Sequence, residues 1–150
     1  MFKRILVVFE NEEINPRAVY YARELAQRMD AEVFFLMLVE MSFLDRTWLG
    51  SSRSAISELD DRVGRQMSEI SADFMRSDIG TGVALRVGDP RQELFKFLAE
   101  RPPFHVLIWG SHDDLPGCGS RSHWMAGAAA SLECPLWTVS SRRTENKKPG

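Results

Sequence analysis

The chain has 150 residues, with 19 Lys and Arg against 21 Asp and Glu, a net charge of −2, and a hydrophobic fraction of 44%. That length suits one domain rather than two independent cores, and the composition excludes wholesale disorder. The absence of a basic excess argues against a general nucleic-acid binder.

The chain order begins with an apolar run, Ile5–Phe9, preceded by Met1-Phe2-Lys3-Arg4 and followed at once by Glu10. The run is too short for a secretion signal and has no small-residue cleavage site. Asn15-Pro16 reads as a helix cap followed by Pro at the first helical position. Ile14, Ala18, Ala22, Leu25 and Met29 then recur at helical spacing. A second apolar run, Val33–Val39, leads into a connection that holds Phe43, Leu44, Trp48 and Leu49. Apolar residues in a connection suggest a lid, a partner surface, or packing on the next helix. That helix carries the stripe Ile56, Leu59, Val63, Met67, Ile70 and Phe74. Gly82–Val87 is the third strand candidate, and Asp89-Pro90 with Gln92 opens a third helix bearing Leu94, Phe95 and Leu98. It stops before Pro102-Pro103.

His105–Trp109 is the fourth strand. A long loop from Gly110 to His123 follows, with glycines at 110, 117 and 119 and hydroxyls at Ser111, Ser120 and Ser122. A short helix from about His123 to Leu132 ends before Pro135, and Leu136–Ser140 is the last strand. Residues 1–140 thus form one α/β domain, and residues 141–150 a disordered polar tail. Arg142, Arg143, Lys147 and Lys148 outweigh Glu145 there, so the rest of the chain is acidic.

Strands alternating with helices imply an open parallel sheet with right-handed crossovers. Near-continuous apolar strands suit a sheet covered on both faces. Such folds bind ligands at the carboxyl ends of the strands, at the switch point of strand order. Glu10, Val39 and the loop after Trp109 map there. Glycine amides and a following helix N-terminus would favour phosphate, as would Arg121, although Asp113 and Asp114 place two carboxylates in the same loop. His112, Cys118 and His123 match no standard zinc spacing. A low-pKa redox thiol at Cys118 and an ordinary exposed one remain alternatives. Cys118 and Cys134 make no disulfide framework and fit a reducing compartment. No P-loop, Gly-x-Gly-x-x-Gly or Gly-x-Ser-x-Gly signature is present. No run approaches the roughly 18 apolar residues of a membrane span, so the expected location is the cytoplasm.

Ile5-Leu6-Val7-Val8 followed by an acid, Val87-Gly88-Asp89-Pro90, Val106-Leu107-Ile108-Trp109-Gly110-Ser111 and Cys134-Pro135-Leu136-Trp137-Thr138-Val139 stand in one order. In that order and spacing the chain resembles the universal stress protein family from Ile5 to about Val139. The resemblance implies a Rossmann-like five-stranded sheet in the order 3-2-1-4-5. It also implies a stress-associated module that binds or senses ATP, with Mg²⁺ possible beside it, without efficient catalysis. Glu10 and Val39 would lie near base and ribose, and Gly110, Gly117, Gly127 and Ser120 at the phosphates. The family's Gly-x2-Gly-x9-Gly-[Ser/Thr] pattern is only partly kept: Asp113 stands at the second position, Gly117 and Gly127 preserve the later spacing, and Ala128 replaces the hydroxyl. The alternative is a non-nucleotide regulatory interaction module whose ATP site is lost or altered; slow hydrolysis is a third. The resemblance also implies a homodimer through the edge strand Leu136, Trp137, Thr138 and Val139.

Overall fold

The computed structural model describes residues 3–40, 52–111 and 123–139. The strands are β1 (Lys3–Glu10), β2 (Ala31–Val39), β3 (Thr81–Val87), β4 (Val106–Trp109) and β5 (Leu136–Trp137). The helices are α1 (Pro16–Met29), α2 (Ser52–Arg76), α3 (Pro90–Ala99) and α4 (Trp124–Ala128), the last continued by a 3₁₀ turn, Ala129–Ser131. They alternate around one five-stranded sheet that is parallel, as the alternation predicts, and runs in the order β3-β2-β1-β4-β5, as the resemblance implies.

β1 lies at the centre, and its side chains go alternately to two cores. Ile5, Val7 and Phe9 pack on one face with Ala18, Ala22 and Ala26 of α1 and with Leu59, Val63, Met67 and Phe74 of α2. Leu6 and Val8 pack on the other with Leu94, Phe97, Trp109, Met125 and Ala128. Both faces are dry, so the strand has no polar alternation.

The helix starts follow capping chemistry. Asn15 Oδ1 accepts the Arg17 N–H at 3.0 Å and Asp89 Oδ2 accepts the Gln92 N–H at 3.0 Å, each ahead of a Pro. Each bond satisfies an otherwise orphaned amide of a first turn. Gly88, at φ 151°, sits where an L side chain is strained.

Several local expectations change. Ile14 precedes the helix; it and Val19 take the N′ and N4 positions of a hydrophobic staple. Ile56 is 37% exposed, whereas Ala55 is buried. The buried line of α2 runs Ala55, Leu59, Val63, Met67 in steps of four, and Ile56 lies about 100° around the helix from Ala55. Phe97, not Phe95 or Leu98, is the fully buried aromatic of α3. The last helix is shorter than the sequence suggests, and β5 pairs with β4 only at Leu107↔Leu136 and Ile108↔Trp137. The apolar connection Phe43–Leu49 and the tail 141–150 lie outside the described residues. No helix among the described residues is long and apolar enough to cross a membrane.

Candidate functional site

The switch point of strand order falls between β1 and β4. Register places Glu10 opposite Leu38 and Val8 opposite Trp109, so the carboxyl ends of β1, β2 and β4 meet at one end of the sheet. Glu10 is the last residue of β1 and only 9% exposed. A buried carboxylate is costly unless its oxygens accept hydrogen bonds. Here one lies 2.7 Å from His123 Nε2 and the other accepts the Trp124 indole N–H at 2.7 Å.

His123 is also the N-cap of α4, where its Nδ1 accepts the Met125 backbone N–H at 2.9 Å. A nitrogen that accepts carries no proton. The imidazole proton therefore sits on Nε2 and is donated to Glu10. One ring thus joins the end of β1 to the start of α4. Trp109, the last residue of β4, packs edge-on against His123 (centroids 4.8 Å apart) and Trp124 (5.9 Å). These rings cover the network on one side and keep its dielectric low.

The neighbouring backbone is equally committed. Ser111 Oγ accepts the Glu10 N–H at 2.6 Å and donates to the Glu13 carbonyl at 2.7 Å. The Gly110 N–H bonds the Val8 carbonyl at 2.8 Å, and its own carbonyl accepts the Asn15 N–H at 2.7 Å. A Cβ at Gly110 would lie 2.7–2.9 Å from Phe9 and Val7 atoms, so this position holds glycine because the core is close. The Val39 carbonyl accepts the Gly88 N–H at 2.9 Å. Asn11 and Glu12, with φ of 49° and 66°, turn the chain after β1. Asn11 then bonds β2 twice, its N–H to the Leu38 carbonyl (2.8 Å) and its Oδ1 to the Glu40 N–H (3.0 Å). The Glu12 carboxylate grips Arg62 with two bonds of 2.6 and 2.7 Å, which raises the guanidinium pKa above its usual value.

Of the residues expected to contact a nucleotide, Glu10, Val39 and Gly110 come together at this end of the sheet. Gly127 lies inside α4, exposed, three residues past its first position. Gly117 and Ser120 lie outside the described residues, as do Asp113, Asp114, Cys118 and Arg121. Trp124 is a residue that sequence reasoning missed, and His123 was weighed only as a metal ligand; His is not among the common N-caps, so its position before a short helix carried little weight. Among the described residues, the Glu10 oxygens, the Val39 carbonyl and both Gly110 backbone groups each have a protein hydrogen-bond partner. Among the described residues no cluster of three or more His, Cys, Asp or Glu is placed to hold a metal ion.

The fold itself is that of the universal stress proteins. A universal stress protein family structure from Burkholderia pseudomallei matches with a TM-score of 0.62 and 17% identity, over 93% of this chain and 97% of that one. The universal stress protein UspA from Lactobacillus plantarum gives 0.65 and 16%, over 92% and 97%. A universal stress protein family protein from Arabidopsis thaliana, with AMP bound, gives 0.51 and 16%, over 98% and 97%. No family model matches the sequence. No curated protein matches it by sequence.

Proposed function

We propose that this chain is a non-enzymatic regulatory module of the universal stress protein type whose nucleotide cleft has been converted into an internal lock. The observation that carries this reading is the Glu10 carboxylate, buried at the switch point with its oxygens on His123 and Trp124. The protein's own imidazole and indole supply hydrogen bonds of the kind a ligand would make there. The lock commits the Glu10 carboxylate to donors of the protein itself. Its consequence is structural: the lock ties β1 to α4, and α4 leads into the edge strand β5. Regulation then acts through an interaction surface. The edge at Leu136–Val139, with Trp137 38% exposed, is our candidate for pairing with a second copy.

A second reading keeps ATP or AMP as ligand, and the AMP-bound Arabidopsis structure favours it. In that case the nucleotide takes Glu10 from His123 and Trp124, and Gly117, Ser120 and Gly127 hold the phosphates. Calorimetric titration with Mg²⁺–ATP and with AMP separates the two. Absence of heat up to about 1 mM, a binding free energy weaker than about −4 kcal/mol, supports the lock; saturable binding in the micromolar range supports the nucleotide.

A further inference from the structure

A cavity lies at the opposite end of the sheet from the lock. It has a volume of about 360 Å³, within the size range of small-molecule sites. Its walls come from the C-terminal half of α3, the segment before β4 and the turn before β5. Phe95, Leu98, Phe104 and Leu132 supply apolar surface, with Arg101 and Cys134 among them.

Arg101 is the informative residue. Its guanidinium stacks on Phe97 at 4.3 Å and lies 5.6 Å from the Phe34 ring centroid. Its Nε is buried beyond the reach of solvent and has no hydrogen-bond partner, so an anion in the cavity meets the guanidinium at its terminal nitrogens. A buried, unsatisfied charged donor costs more than an ordinary unmade hydrogen bond, and a planar guanidinium is matched best by a planar anion. Phe34 is held in place partly by what is missing beside it: a Cβ on Gly82 would come within 2.6 Å of its ring. The aromatic floor that fixes Arg101 is therefore built into β2 and β3.

We propose that this cavity binds a small amphipathic carboxylate, with the carboxylate on Arg101 and its hydrocarbon body along Phe95, Leu98, Phe104 and Leu132. Glu133, exposed on the cavity wall, opposes the anion and limits its affinity. The site is separate from the lock and does not depend on which reading of the lock holds.

The test uses octanoate, with octan-1-ol as its uncharged counterpart, titrated into the full chain and followed by amide chemical shifts. Octanoate should bind with a dissociation constant on the order of 0.1 mM, shifting amides of residues 95–104 and 131–134. Arg101→Met keeps the stem over Phe97 and should weaken octanoate about tenfold while leaving octanol unchanged. Ala99→Phe, which fills the cavity, should abolish both. If Arg101→Met does not fold, Arg101→Lys serves, with the octanoate preference over octanol reduced. The proposal is overturned by absence of shifts at about 5 mM octanoate, by shifts that map elsewhere, or by equal octanoate binding in the Arg101 variant. Glu133→Gln should tighten octanoate by roughly threefold, and no change would remove Glu133 from the site.

Discussion

The Glu10 carboxylate and the His123 imidazole stand 113 positions apart in sequence and meet at 2.7 Å. The ring's other nitrogen caps α4 at Met125. Its proton is thereby assigned to Nε2. Nitrogen-15 NMR of the ring should show the Nε2–H tautomer, with the proton coupled into the Glu10 bond. An Nδ1–H tautomer would rule out the cap bond to Met125 and with it the lock.

Removing the acceptor should be costly. Glu10→Ala leaves the Trp124 indole and the His123 imidazole facing a site without an oxygen. Buried donors left unmet cost about 1–3 kcal/mol each, so thermal unfolding should move down by about 4 °C or more. Trp124→Phe keeps the ring packing on Trp109 and loses one bond, and should cost about 1 kcal/mol. An unchanged melting temperature for Glu10→Ala would mean that the network contributes nothing to the fold.

Two glycines of the loop pattern should respond with opposite sign. Gly110→Ala forces a methyl against Phe9 and Val7 at under 3 Å, an overpacking that costs about 1–3 kcal/mol. Gly127→Ala meets nothing closer than Arg91 Nη1 at 3.9 Å. In a helix it should gain about 0.5–1 kcal/mol. Chemical denaturation of the two variants checks the pair, and destabilisation by Gly127→Ala would show that its backbone has a role beyond the helix.

The fold was legible because its signals are local. Apolar runs buried on two faces, Asn15-Pro16 and Asp89-Pro90 as caps, and alternation of strand and helix each follow from neighbouring residues. The lock was not legible, because Glu10 meets His123 only after β1 and α4 are brought together by the sheet. Sequence reading placed Glu10 at the cleft as a nucleotide contact; its bonds to His123 and Trp124 exist only in the assembled fold. It also weighed His123 as a metal ligand, when its nearest chemistry is a helix N-terminus two residues away. Ile56 misled for a simpler reason: stripe counting does not see a small residue, and Ala55 takes the core position.

Cys134 lines the Arg101 cavity and reports its environment through pH. Burial, and then the nearby Glu133 charge, raise its thiol pKa above that of a free cysteine. The folded state therefore binds that proton more tightly than the unfolded state. Any stability linked to it is intact below the free-thiol pKa and is lost as pH rises beyond it. Alkylation by iodoacetamide, read at Cys134 by peptide mass spectrometry, should reach half its maximal rate at a higher pH in folded protein than in urea. A midpoint equal to or below that of the unfolded chain would contradict this environment.

In the proposed lock, the protein's own side chains fill the switch point. The most direct measurement follows the Trp124 indole N–H resonance, bonded to Glu10 at 2.7 Å, during titration with Mg²⁺–ATP. The resonance should hold its position up to about 1 mM nucleotide. A saturable shift of that signal, accompanied by loss of the His123–Glu10 bond, would contradict the lock and return the cleft to a nucleotide.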